Sequence, residues 1–130
     1  MTFAPYDDLE ACAKVLDYRR LGKQRVEAYQ IWRTLKGITK GWANHPAVKM
    51  WAGHTCFLAK YCNVMISEWK SRGYNNTMEF LPHCAKPRPP WWWGHAPVHL
   101  SHQASLNRKD PSFYHFDVEP YTGYVWPSPL

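Results

Sequence analysis

Glu27 is the residue around which chemistry is easiest to build. It is the lone carboxylate of a basic stretch, with Lys23 and Gln24 one helical turn before it, Gln30 one turn after and Arg20 two turns back. As a surface Lys–Glu pair at helical spacing it contributes only a few tenths of a kcal/mol. Set instead in a cationic groove, the carboxylate stays ionised, because neighbouring positive charge favours the anion. An anion facing phosphates opposes plain nucleic-acid affinity, so its presence there has to serve something other than binding.

Three further groups invite chemistry. His95, His99 and His102, with His83 and Cys84 upstream, raise a metal reading, but Pro97 interrupts the first pair and neither paired Cys nor acidic ligands lie nearby. The expectation is no metal and no cofactor. Trp91–Trp93 is a run of three indoles between prolines and Gly94. Consecutive indoles cannot share one buried face, so core plugs and a ring stacked on an unpaired base both stay open, and Trp92 is assigned to nucleic-acid contact. Asn44-His45-Pro46 reads most simply as a helix start, with Asn44 as the cap, and His54 beside Gly53 as a core histidine; Asn44, His45 and His54 are also counted as DNA-facing candidates.

The elements that must position these residues follow from the pattern of charge and hydropathy. The chain has 130 residues, enough for one domain over 1–130, and is 45% hydrophobic and 20% charged, which is a globular composition. Its net charge of +6 is unevenly spread: residues 1–13 carry three acids and no base, while 14–49 carry nine bases against Asp17 and Glu27. That balance favours a polyanionic partner. Eight Trp in so short a chain exceed what a small core hides. No apolar run approaches the ~18 residues of a membrane span. Neither a leader pattern at MTFAPYDDLEAC nor a CxxC pair among Cys12, Cys56, Cys62 and Cys84 is visible, so reduced thiols and a cytoplasmic location are expected.

The spacing predicts an all-α protein. A first helix capped by Asp7 or Asp8 carries Leu9, Cys12, Ala13 and Leu16 on one stripe. A second runs from about Lys23 to Lys36, with Ala28, Ile31, Trp32 and Leu35 on one face and Gly37 as its stop. Apolar residues at threes and fours from Val48 to Trp69 predict a long central helix over 46–72, with Gly53 as a possible break. A short helix over Met78–Cys84 and a final one over Val98–Lys109 complete the set. Five prolines within 82–97 exclude regular structure there, and an aromatic tail follows. The N-terminal stretch is expected to carry little of the helical core, so that extending it leaves folding intact.

Several strings together are more specific than any of these patterns. LDYRRLGKQRVEA (16–28), NHPAVKMWAGH (44–54), EWKSRGY (68–74), HLSHQASLNRKDPSFY (99–114) and the terminal YVWP resemble the pyrimidine-dimer DNA glycosylases of the endonuclease V type, and more closely a bacterial and phage branch of them. The resemblance implies a compact all-α DNA repair enzyme whose N-terminal α-amine is the nucleophile, here that of Thr2 once Met1 is removed. It implies Glu27 as the catalytic carboxylate, and it matches His54 to the Gly-His step and Tyr114 to the aromatic C-terminal segment. The Arg that precedes the catalytic Glu in founding members is Val26 here, a later basic position is Gln30, and the central helix is shorter by whole turns.

The implied activity is a glycosylase with associated abasic-site lyase action on damaged double-stranded DNA. Arg19, Arg20, Lys23, Arg25, Arg108 and Lys109 are assigned to phosphates, and a monomer without metal, cofactor or membrane association is expected. An α-amine, which loses its proton at lower pH than a lysine, can attack C1′ and form a Schiff base, while an ionised Glu27 steadies the cationic sugar. Two other readings use the same residues: a glycosylase for another modified pyrimidine, and a non-catalytic nucleic-acid-binding module on the same fold.

Overall fold

Residues 1–127 are described by a computed structural model; the last three residues of the aromatic tail lie outside it. Five helices and no strand occur among the described residues, in the order α1 (Leu9–Val15), α2 (Tyr18–Leu35), α3 (Pro46–Lys49), α4 (Thr55–Ser71) and α5 (Ala96–Lys109). The all-α reading holds.

Local chemistry sets most boundaries. Asp8 caps α1 by accepting from the Ala11 amide at 2.8 Å. Asp17 caps α2 through the Arg20 amide, which starts that helix five residues before the position expected from its apolar stripe alone. At α3 the cap is His45 and not Asn44: its Nδ1 accepts from the Ala47 amide at 3.0 Å, with Pro46 in the first turn. The central helix expected over 46–72 is broken where foreseen. α3 ends at Lys49, and in the turn that follows Gly53 takes φ +79°, a left-handed conformation that lets the chain restart as α4 at Thr55. No helix forms over Met78–Cys84, where Asn63 of α4 takes the Leu81 amide and carbonyl through its side chain (2.7 and 2.8 Å) and so competes with helical pairing.

α2 and α4 form the main contact, with α1 laid against α4. Leu21, Ala28 and Ile31 of α2 meet Leu58, Cys62, Met65 and Ile66 of α4 in one buried cluster. Their close approach depends on Gly22, where an added Cβ lies 2.9 Å from the Trp69 ring. Trp51 and Trp92 fill the space beside α4, their rings edge to face at 5.0 Å.

The N-terminal stretch is the main departure from expectation. Thr2, Phe3 and Ala4 are buried (0%, 5% and 0% exposed) and run through the middle of the molecule. The Phe3 amide donates to Gln24 Oε1 (2.7 Å), the Ala4 amide to His102 Nδ1 (2.9 Å), and Tyr61 donates its hydroxyl to the Phe3 carbonyl (2.6 Å). Gln103 reaches the Pro5 carbonyl at 2.7 Å. The sequence pattern conceals this because four residues are too few to show a period, and their partners are polar side chains on three other helices.

Candidate active site

The threaded segment delivers the N-terminal amine to α2. The Met1 amine lies 2.6 Å from Glu27 Oε2, and Gln24, one turn earlier, donates from Nε2 to the Met1 carbonyl at 3.1 Å. A half-exposed ion pair of this kind stabilises by at most about 1 kcal/mol, too little to position a chain end by itself. The position is fixed instead by the buried hydrogen bonds of residues 2–5, each worth about 1 kcal/mol and costly to leave unmade. Among them Trp51 Nε1 donates to Thr2 Oγ1 at 2.9 Å, which pins the residue next to the amine.

Two histidines complete the scaffold, each in a tautomer set by its partners. His102 accepts the Ala4 amide on Nδ1, so its proton is on Nε2; burial, above all, pushes its pKa down to about 3, and it is a neutral acceptor. His99 is the converse, with Nε2 accepting from the Gly94 amide (2.8 Å) and Nδ1 donating to the Ala4 carbonyl (2.7 Å). Both are structural. Among the described residues no group of three or more His, Cys, Asp or Glu is arranged to hold a metal ion.

Met1 and Glu27 lie where two clefts meet. One, of about 270 Å³, is basic: Arg19, Arg20 and Lys23 come from α2 and Lys109 from the last turn of α5. Arg19, Lys23 and Lys109 point into solvent, whereas Arg20 is half-buried, held by Asp17 at 3.0 Å. The other, of about 220 Å³, runs along the opposite flank of α2 past Gln30, Ile31 and Thr34 to Trp42, His45 and Val48. Trp42 is 74% exposed and takes φ +62°, an uncommon conformation for a bulky residue. Its ring meets His45 edge to face at 5.7 Å, and His45 in turn meets Trp126 of the tail at 5.9 Å. Asn44 is exposed on the same turn.

Other assigned residues fall elsewhere, for physical reasons. Arg25 points to the far side of α2, where its guanidinium stacks 4.2 Å over Trp69 and donates to Asn76 at 2.6 Å. Burial lowers its pKa, and in this fold it packs on Trp69, away from both clefts. Trp92 is 1% exposed and donates to the Met50 carbonyl at 2.8 Å, so of the three indoles it is a core plug; Trp91 is the exposed ring. Tyr114 is also buried, at 3%. It accepts from the Asp17 amide and donates to the Asp17 carboxylate, closing the start of α2. His54 is half-exposed at the start of α4, its Nδ1 3.3 Å from the Arg88 carbonyl, and lines neither cleft. Arg108 is exposed with its guanidinium 5.3 Å over Tyr121.

Three site residues escape sequence reasoning: Gln24, Trp51 and Trp42. Only Gln24 leaves a trace, as a polar residue one turn from Leu21 and Ala28 on the apolar stripe of α2. An amine at a carboxylate, between a basic and an aromatic cleft, suits attack on a nucleotide sugar. The sequence pattern of the family described as pyrimidine dimer DNA glycosylase matches residues 1–82. The chain belongs to this family. Membership makes it a DNA repair glycosylase in general terms, and the match spans the amine, Glu27 and both flanks of α2. No curated protein and no solved structure matches the chain. Among the described residues of this glycosylase no helix is long and apolar enough to cross a membrane.

Proposed function

We propose that the protein excises a damaged pyrimidine, a pyrimidine dimer before other modified pyrimidines, and then cuts the strand as an abasic-site lyase through a Schiff base on its N-terminal amine. The observation that carries this reading is that Thr2, pinned by Trp51 at 2.9 Å, is the residue next to the one whose amine reaches Glu27 at the junction of the two clefts. The nucleophile is the α-amine of Thr2 after removal of Met1. Thr2 is held by Trp51, so the nitrogen exposed by that removal is fixed from its own side chain.

The steps follow from these groups. The neutral amine attacks C1′, the C1′–N bond breaks and the base leaves. Ionised Glu27 steadies the positive charge that develops on the sugar. One proton of the new C1′ ammonium ends on the departing base and the other on the ring oxygen as the sugar ring opens to an imine, which acidifies C2′–H. Glu27 accepts that proton, and the C3′–O bond breaks in β-elimination. Arg19, Lys23 and Lys109 hold phosphates along the basic cleft, Trp42 and His45 face the nucleotide, and the protein acts as a monomer on damaged double-stranded DNA, in the cytoplasm at the nucleoid.

The test is borohydride trapping on duplex DNA with an abasic site, followed by peptide mapping of the adduct. The expected adduct is on the Thr2 nitrogen of protein lacking Met1. A second reading rests on the Met1 amine itself, which already touches Glu27; it predicts an adduct on Met1 in protein that retains it. Trapping on a lysine, or none at all, overturns both.

A further inference from the structure

Away from the clefts, the first turn of α4 and the Pro-rich stretch over 82–97 bring two cysteines together. Cys56, the second residue of α4, and Cys84 are 28 positions apart. The Cys84 amide donates to Cys56 Sγ at 3.0 Å. We infer that Cys56 and Cys84 are a dithiol redox site, which low-molecular-weight disulfides convert to an intramolecular disulfide that ties the Pro-rich stretch to the start of α4.

The two sulfurs are unequal in the sense this exchange requires. Cys56 accepts the Cys84 amide, sits where the amides of a helix start point, and has Lys36 nearby. These contacts favour its thiolate, the nucleophilic form. Cys84 is exposed, and its neighbour Cys56 pushes its thiol up. The Cys56 thiolate attacks one sulfur of the small disulfide, forming a mixed disulfide and releasing one thiolate. Cys84 then loses its proton, attacks Cys56 Sγ and releases the second. Two protein thiols are oxidised and one small disulfide is reduced to two thiols, which take up the two protons.

The same molecule carries its own control. Cys12 and Cys62 are buried, their thiols donate to the Tyr6 and Arg25 carbonyls, and burial pushes both up to about 12. They are inert by comparison.

The experiment incubates the folded, full-length protein with oxidised glutathione at neutral pH and maps thiols and disulfides by mass spectrometry. The expected product is a monomer lighter by two hydrogens, with a Cys56–Cys84 linkage and Cys12 and Cys62 still reduced. Cys84→Ser should stop the reaction at a glutathione adduct on Cys56. Cys56→Ser should slow oxidation of Cys84 by at least tenfold, with helical content by circular dichroism unchanged. Persistent glutathione on Cys84 in the unaltered protein, a disulfide between chains, or four thiols still titrating overturns the inference.

Discussion

Asp17, the cap of α2, and Glu27 within it lie ten residues apart, about 15 Å along the helix axis, and have opposite surroundings. At the start of the helix Asp17 is saturated: Tyr114 and Arg20 both donate to it, and it caps the Arg20 amide. Burial alone raises its pKa, but those hydrogen bonds outweigh burial and hold the carboxyl below its ordinary value. Nearly three turns later Glu27 touches the chain's amine and otherwise opens onto both clefts. One acid is spent on holding the fold together, and the other is left where a substrate can reach it. Residue type and local charge do not separate them; the partners supplied from outside α2 do.

The sharpest break of that comparison is Glu27→Gln. It keeps size and removes charge, so base release should fall by roughly a few hundredfold, as loss of about 3–4 kcal/mol of transition-state stabilisation implies. The melting temperature should stay within a few degrees, and duplex affinity should hold or rise. Single-turnover kinetics beside a thermal melt checks both halves; near-normal turnover returns Glu27 to a surface pair.

Asp17→Ala should invert the pattern. It removes a helix cap and strands the Tyr114 hydroxyl and Arg20, a loss of about 3 kcal/mol of stability. Turnover well below the melting point should be kept within a few fold. A urea titration and an initial-rate assay on the same preparation decide it.

Acid titration separates the groups in pH. His102 has its folded pKa depressed to about 3, so its contribution is full above the unfolded value of about 6.5 and drains as pH falls from there toward 3. At pH 5 the loss should reach about 2 kcal/mol. Asp17, also depressed in the fold, keeps its contribution above the unfolded value of about 3.9 and loses it as pH falls further. Urea midpoints between pH 7 and pH 3 should therefore decline in two stages, and His102→Gln should remove the first.

The smallest effect concerns Lys23 against Arg25. Lys23→Ala should lower the slope of log affinity against log salt by about 0.9, one phosphate contact. Arg25→Ala should leave that slope unchanged and lower stability by about 1–2 kcal/mol, through loss of stacking on Trp69. Equal slopes for both variants would place Arg25 back on DNA.

Helices, caps and much of the basic surface were legible because they are local. Leu9, Cys12 and Ala13 fall on one stripe by spacing alone, Asp8 caps by its own side chain, and Gly53 turns the chain between α3 and α4 by its backbone freedom. Glu27 stood out for the same reason, as the one acid on the basic face of its helix. What needed the tertiary structure is everything set by partners distant in sequence. Arg25 and Lys23 are alike as text, but Trp69 and Asn76 claim Arg25. Tyr114 and Trp92 looked available until Asp17 and the Met50 carbonyl were found beneath them. The amine reaches Glu27 because polar side chains on α2, α4 and α5 hold residues 2–5 inside the molecule. A hydrogen bond between residues as many as 98 positions apart leaves no period in the chain, so only the fold decides where that amine goes.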